Sequence, residues 1–192
     1  MILIVTRSGS TWTRMTVPTT AHLTGVWGTS GTDVFAVGAG GVILRYDGAT
    51  WTSMTSGTSS RLMAAWGTSR TDVFAVGESG TVLHYDGVRW SAMPSGTSEG
   101  LYGVWGTSST NVYAAGGQGG SGLLLRYDGS SWSAVPRLPG GDLYGLWGTS
   151  SSAVFAAQSA QTGSLARYDG SAWATTNTEI AGFFLNLWGT SG

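Results

Sequence analysis

The stretch Leu23-Thr24-Gly25-Val26-Trp27-Gly28-Thr29-Ser30 contains the tetrapeptide that decides the fold. Trp-Gly-Thr-Ser occurs five times, and its copies begin at Trp27, Trp66, Trp105, Trp147 and Trp188. Consecutive copies lie 39, 39, 42 and 41 residues apart. A fixed period near forty residues is typical of repeat architectures, in which each repeat is one supersecondary unit.

A second motif, Tyr-Asp-Gly-x-x-Trp, accompanies each complete repeat. Its tyrosines are Tyr46, Tyr85, Tyr127 and Tyr168, and its tryptophans are Trp51, Trp90, Trp132 and Trp173. A degenerate copy near the start of the chain runs from Arg7 to Trp12. All ten tryptophans therefore belong to the repeat, which indicates that they serve one recurring structural purpose.

One repeat divides into four short strands. Residues 23–27, 33–37, 42–46 and 51–54 are apolar or alternating, and we label these strands A to D from the axis outward. Residues 28–32 have turn chemistry, and Asp47-Gly48 is a strong hairpin signal because glycine accepts a positive φ. Four short strands per forty residues predict one blade of a β-propeller, and the apolar B and C strands indicate a sheet covered on both faces.

The count of strands predicts an all-β, five-bladed β-propeller of four-stranded antiparallel blades that occupies residues 1–192 as one domain. Full blades are expected at 23–54, 62–93, 101–135 and 143–176. The closing blade would take its C and D strands from 1–15 and its A strand from 183–191, and it lacks a B strand. A loop or another chain would fill that gap, the blade would keep three strands, or the chain is a fragment of a larger ring.

The loops divide between two ends of the predicted propeller. The A–B and C–D loops form what we call the first rim, whose sequence is nearly the same in every repeat. The B–C and D–A loops form the second rim, which varies in length and chemistry. The position five residues before each A-strand tryptophan shows this divergence, with His22, Arg61, Gly100, Asp142 and Phe183.

Composition excludes several classes of partner. Charged residues are 10% of the chain, against a usual share of about 25%, and the net charge is −1, so nucleic acid and anionic membranes are not expected partners. No apolar run approaches the roughly 18 residues that span a bilayer, so we expect no membrane insertion. Cysteine is absent, and the opening apolar residues 1–5 are too short for a signal-peptide core.

The blade sequence from Trp27 to Trp51 resembles the blades of bacterial β-propeller lectins of the fucose-binding, seven-bladed type. The matching pattern is Trp-Gly, then Asp-Val-Phe-Ala-Val-Gly, then Leu-x-Arg-Tyr-Asp-Gly-x-x-Trp. The resemblance implies a propeller with sugar pockets between adjacent blades and an extracellular or cell-surface location. The chain departs from the lectins in its shorter blades and in Met54, Met93 and Val135, which replace a second tryptophan.

The hairpin tryptophans are the candidate ligand platforms, because an exposed indole face stacks on the C–H face of a sugar. The candidate binding residues are therefore Trp51, Trp90, Trp132 and Trp173, with Arg45, His84, Arg126 and Arg167 as hydrogen-bond donors. The alternative is that these tryptophans pack within the hairpins and that the basic residues are solvated strand ends. The A-strand tryptophans are expected to lie between blades.

The acidic residues are expected to be structural. Asp47, Asp86, Asp128 and Asp169 each precede a glycine in a hairpin, and Asp33, Asp72 and Asn111 are expected to bind their own turn backbone. Only three glutamates, Glu78, Glu99 and Glu179, and two histidines occur, and no carboxylate pair stands out for hydrolysis. We therefore expect no catalytic activity, no cofactor and no metal.

Two functions remain open from the sequence. The first is a non-catalytic, multivalent carbohydrate-binding module whose weak sites recur from blade to blade and act through avidity. The alternative is a protein-interaction or structural scaffold that uses the divergent second rim. The expected partner is accordingly a glycan or a protein, and the expected state is a monomer or a small homo-oligomer.

Overall fold

The computed structural model of the chain describes residues 5–8, 11–159, 162–181, 187 and 189. These residues form strands and two single 3-10 turns, in agreement with the predicted all-β class. Four sheets of four consecutive antiparallel strands, together with a separate two-stranded hairpin, make up the fold. The innermost strands of successive sheets pack against one another, which gives the radial arrangement of a propeller.

The strands follow one another in chain order, and each blade takes four in succession. The N-terminal hairpin consists of β1 (Val5–Ser8) and β2 (Thr11–Arg14). The first blade consists of β3 (Leu23–Ser30), β4 (Asp33–Gly38), β5 (Ile43–Tyr46) and β6 (Trp51–Met54). The second consists of β7 (Leu62–Ser69), β8 (Asp72–Gly77), β9 (Val82–Tyr85) and β10 (Trp90–Ala92). The third consists of β11 (Leu101–Ser108), β12 (Asn111–Gly117), β13 (Ser121–Tyr127) and β14 (Trp132–Ala134). The fourth consists of β16 (Leu143–Ser150), β17 (Ala153–Gln158), β18 (Thr162–Tyr168) and β19 (Trp173–Ala181).

Three details differ from the predicted strands. The A strand extends through Ser30, so residues 28–30, predicted as part of a turn, belong to β3. The turn is confined to residues 31 and 32, where the backbone N–H of Thr32 donates to Ser30 Oγ at 3.2 Å. An additional short strand, β15 (Leu138–Pro139), pairs with β13, and β19 continues past the predicted end of its blade at residue 176.

Each blade covers the next through an aromatic residue of its B strand. The ring of Phe35 lies 5.7 Å from Tyr85 and 6.1 Å from Trp90, which are the hairpin aromatics of the following blade. Phe74 repeats these contacts with Tyr127 and Trp132 at 5.8 and 6.3 Å. Aromatic pairs in such tilted and edge-on geometries contribute about 0.5–1.5 kcal/mol beyond their buried area. The repeated sequence therefore encodes a repeated interface between blades.

The A-strand tryptophans lie between blades, as predicted, and they explain the glycine that follows each of them. Atom Cη2 of Trp66 lies 2.7 Å from the position that a Cβ on Gly106 of the next blade would take. Trp27 stands in the same relation to Gly67, and Trp105 to Gly148. A glycine within a strand often marks a close approach of this kind. The tryptophan of one Trp-Gly motif thus packs against the glycine of the motif in the next blade.

The two predicted rims are both present in the fold. On the first rim, a Cβ on Gly48 in the C–D turn would lie 2.8 Å from Thr32 in the A–B turn. On the second rim, the backbone N–H of Gly80 in the B–C turn donates to the carbonyl of Glu99 in the D–A loop at 2.8 Å. The constant and the divergent loops therefore occupy opposite ends of the blades.

The closing blade is described only in part. In the N-terminal hairpin Arg7 pairs with Trp12, which is the register of Tyr46 with Trp51 in the first blade. Met15 packs against the first blade's cluster of Ala36, Leu44 and Trp51. The predicted A strand at 183–191 lies outside the described residues except for Leu187 and Gly189, so its union with the hairpin stays a prediction.

Candidate functional site

The four hairpin tryptophans occupy the interior of the blade stack. Trp51, Trp90 and Trp132 are 8, 7 and 9% exposed, and Trp173 is half-buried. The indole N–H of each of the four is buried and finds no acceptor among the described residues. The premise of an exposed indole face is therefore wrong for the first three rings, and ligand binding by these tryptophans stays a prediction without support from their geometry.

The basic residues predicted as ligand donors are joined to the start of the B strand. Arg45 Nη2 lies 3.1 Å from Asp33 Oδ1, and His84 Nε2 lies 2.6 Å from Asp72 Oδ1. In the third blade Arg126 Nε donates to Asn111 Oδ1 at 3.0 Å. Arg167, whose blade has Ala153 at the B-strand start, makes a long contact of 3.5 Å to the carbonyl of Ser152 instead.

These pairs correct the expectation that Asp33, Asp72 and Asn111 bind their own turn backbone. The side chain of Asp33 also accepts a hydrogen bond from Thr29 Oγ1 at 2.8 Å, so it links the A and C strands through side chains alone. Thr68 donates to Asp72 in the same way. The first rim is thus held by a recurring network whose donors are already engaged within the protein.

The hairpin aspartates form turns, as predicted. Asp128 Oδ1 accepts hydrogen bonds from the backbone N–H groups of Ser130 and Ser131 at 2.8 and 2.9 Å. Hydrogen bonds led by that from Ser131 lower the pKa of Asp128 to about 2, from a usual 3.8. Equivalent bonds, led by that from Ala172, lower the pKa of Asp169 to about 2 as well. These fully exposed carboxylates stabilise the hairpin turns by accepting backbone hydrogen bonds.

The axial end of the second rim holds the site that the sequence did not reveal. The four inner strands, β3, β7, β11 and β16, line a cavity of about 590 Å³ at the axis. Near its N-terminal end, each of these inner strands contains one extra residue relative to the B strand that it pairs with. In the first blade Leu23 pairs with Gly38 and Gly25 pairs with Val37, so Thr24 is the extra residue. Such β-bulges redirect side chains and are common beside functional sites.

The position three before each A-strand tryptophan lies within these bulges and takes three different residue types in the four blades. It holds Thr24, Met63, Tyr102 and Tyr144, all of which line the cavity. The rings of Tyr102 and Tyr144 stack with centroids 4.9 Å apart and planes 13° apart. Burial is the main cause that raises the pKa of Tyr102, and the adjacent Tyr144 and the carboxylates of Asp142 and Glu78 raise it further, so the Tyr102 hydroxyl is neutral at physiological pH.

The sequence predicted divergence at the position five before each tryptophan, and the bulge position lies two residues after it. Of that set, the structure places Arg61 and Asp142 on the second rim beside the cavity, and Phe183 lies outside the described residues. An alignment of the repeats does carry the missing signal. Threonine, methionine and tyrosine alternate at one position inside a strand that otherwise keeps leucine, a small residue and Trp-Gly-Thr-Ser.

The described residues contain no group of three His, Cys, Asp or Glu side chains placed to hold a metal ion. Within the same residues, no helix has the length and apolar character needed to cross a membrane.

Comparison with known proteins gives neighbours in structure only. No family model matches the sequence, and no curated protein matches it either. A structure of YCF48 bound to a D1 peptide matches with a TM-score of 0.66 and 20% identity, over 84% of this chain and 56% of that one. YCF48 from Cyanidioschyzon merolae matches with a TM-score of 0.62 and 15% identity, over 82% and 57%. The chain spans somewhat more than half the length of these neighbours, and at such identities the likeness establishes the propeller fold alone.

Proposed function

We propose that this chain is a non-catalytic protein-interaction propeller that binds a short extended segment of a partner protein at the axial end of its second rim. The observation that carries the proposal is the series of four β-bulges, which present one threonine, one methionine and two tyrosines to one cavity. The A strands share their first leucine and Trp-Gly-Thr-Ser, and they differ in the side chains that line the cavity.

The size and lining of the cavity suit a peptide. A volume of about 590 Å³ holds a few side chains, and Met63, Leu146 and the tyrosine pair offer apolar contact beside exposed backbone. Tyrosines of this kind supply a large contact area at low cost in conformational entropy. One structural neighbour, YCF48, is bound to a peptide, which agrees with this use of the fold.

Carbohydrate binding has less support from the same residues. Phe35 and Phe74 of the preceding blades cover Trp90 and Trp132, and Trp51 is buried as well. The basic residues of the first three blades are paired with Asp33, Asp72 and Asn111. Titration with a panel of monosaccharides tests this hypothesis directly. Quenching of tryptophan fluorescence at a stoichiometry of several sugars per chain would restore it.

Selection of peptides against the immobilised protein tests the proposed function. A displayed library of random heptapeptides would be panned on the wild-type chain, and the enriched peptides would be synthesised and titrated. We expect the double variant Tyr102→Ala/Tyr144→Ala to bind them at least tenfold more weakly, because central aromatic anchors dominate such interfaces. Arg70→Ala, at an exposed position on the first rim, is the matched control and should bind normally.

Circular dichroism melts of each variant would show that the blades remain folded. If every enriched peptide binds the tyrosine double variant as tightly as the wild type, the cavity is not the binding site and the proposal is wrong.

A further inference from the structure

Two carboxylates on the second rim, those of Glu78 and Asp142, form no ion pair with any described basic side chain. Glu78 begins the 3-10 turn Glu78–Gly80, which packs against β11, the strand that carries Tyr102. Its exposed carboxylate has no hydrogen bond or ion pair within the part of the chain that the structure describes. Asp142 directly precedes β16, and its Oδ1 accepts a hydrogen bond from the backbone N–H of Gly120 at 3.1 Å but meets no basic side chain among the residues that the structure describes.

The other charges of this rim do not neutralise them. Glu99 is already paired with Arg137, which also donates to the carbonyl of Ser121. The carbonyl of Arg61 accepts the backbone N–H of Glu78 at 2.9 Å, yet the Arg61 guanidinium forms no ion pair with any described carboxylate. The surroundings of the tyrosine pair are therefore negative, and these charges add to the effect of burial in raising the pKa of Tyr102.

The chemistry complementary to this arrangement is a flat cation. A guanidinium stacks on a tyrosine face and donates several hydrogen bonds in its own plane to carboxylates. An ammonium group carries the same charge without the planar stacking surface. The tyrosine pair lines the cavity, and the carboxylates of Glu78 and Asp142 lie outside its lining, on the adjoining second rim.

Building on the proposed function, we infer that the partner segment is basic and inserts an arginine side chain against Tyr102 and Tyr144, within reach of Glu78 and Asp142. The apolar lining from Met63 and Leu146 then contacts the methylene groups of that side chain and its neighbours. Arginine supplies the charge, and the bulge residues supply the surface that positions it.

A double-mutant cycle with an isosteric ligand tests this inference. One enriched heptapeptide that contains arginine would be compared with its citrulline counterpart, which is planar but neutral, and with its lysine counterpart. For the wild-type chain we expect citrulline to weaken binding about tenfold and lysine to weaken it about threefold. For Glu78→Gln/Asp142→Asn, which removes both charges and keeps size and hydrogen-bonding capacity, the arginine and citrulline peptides should bind within about twofold of each other.

Asp86→Asn, an equivalent loss of charge on the first rim, is the control and should leave the preference for arginine unchanged. Selection of peptides that lack arginine and lysine, with affinity that still depends on the tyrosine pair, would overturn the inference and leave the proposed function standing. A preference for arginine that survives in Glu78→Gln/Asp142→Asn would also overturn it. Peptides whose affinity is indifferent to Tyr102 and Tyr144 would overturn the proposed function itself.

Discussion

Replacement of Gly106 by alanine tests the contact that joins one repeat to the next. The added Cβ would lie 2.7 Å from Cη2 and 2.8 Å from Cζ3 of Trp66, and 2.7 Å from the backbone oxygen of Asn111. Real Cβ atoms do not approach other heavy atoms so closely, so either the Trp66 ring or the strand pair must shift. The ring belongs to the cluster between the second and third blades, which leaves it little room to move.

Overpacking of this kind costs about 1–3 kcal/mol, and we expect a value near the upper end because one of the crowded atoms is backbone. For a domain of this size each kcal/mol shifts the melting temperature by about 2–4 °C, so Gly106→Ala should melt roughly 5–10 °C below the wild type. Gly31 has open space around it and no positive φ. Gly31→Ala is the matched control and should leave stability unchanged or raise it slightly.

The coupling between Gly106 and Trp66 is the sharper part of this prediction. Trp66→Ala alone should cost about 3 kcal/mol, at the lower end for buried aromatics because the side chain is only partly buried. In the Trp66→Ala background, Gly106→Ala should cost about 1 kcal/mol less than in the wild type, because the clash with the Trp66 ring is gone and only the clash with the Asn111 backbone oxygen remains. Strictly additive effects in chemical denaturation would refute the assignment of this glycine to contact between blades.

Two further predictions follow from burial and from the hairpin aspartates. Trp90→Ala should cost about 3–5 kcal/mol in denaturant titrations, whereas Trp12→Ala, at a ring that is 63% exposed, should cost under about 1 kcal/mol, and equal costs would contradict the described packing of the hairpins. The folded-state pKa values of Asp128 and Asp169 are about 2 against a usual 3.8, so their contribution to stability is complete above pH 3.8 and is lost as the pH falls toward 2. Melting temperatures measured from pH 7 to pH 2 should therefore fall less steeply below pH 4 in Asp128→Asn/Asp169→Asn than in the wild type, and identical slopes would show that these turns do not respond to acid.

Most of the blade could be predicted because each repeat contains the same strands and the same turn residues between them. The hairpin at Asp47-Gly48 and the D strand from Trp51 to Met54 were predicted at their observed positions. The end of β3 was not, because Gly28 and Thr29 look like turn residues when read locally. At Gly28 the partner strand leaves no room for a side chain, because an added Cβ would lie 2.6 Å from the carbonyl oxygen of Asp33. At the equivalent Gly67 the Trp27 ring of the preceding blade crowds the position as well, and a single repeat carries no sign of its neighbour's ring.

The prediction that the A-strand tryptophans are more buried than the hairpin tryptophans was also wrong. An outer strand is expected to be more exposed than an inner one, yet Trp90 is 7% exposed and Trp66 remains half-buried. The reason is Phe35, which covers the hairpin of the following blade. The axial bulges were not predicted because a β-bulge is defined by the hydrogen-bond register between strands, which a single repeat does not reveal. Only the divergence of Thr24, Met63 and Tyr102 between repeats marks the position.

The contact of Phe35 with the following hairpin has a consequence for how such a protein changes over evolutionary time. The covering phenylalanine and the covered hairpin aromatics lie on opposite faces of one repeat. Phe74 of the second blade makes the same contact with Tyr127 and Trp132 of the third. A duplicated segment of about forty residues therefore brings a complete pair of complementary faces, in the manner of stacked repeat proteins. Gene duplication can lengthen the series without inventing an interface, while the residues at the axial bulges are free to diverge and acquire new ligands one blade at a time.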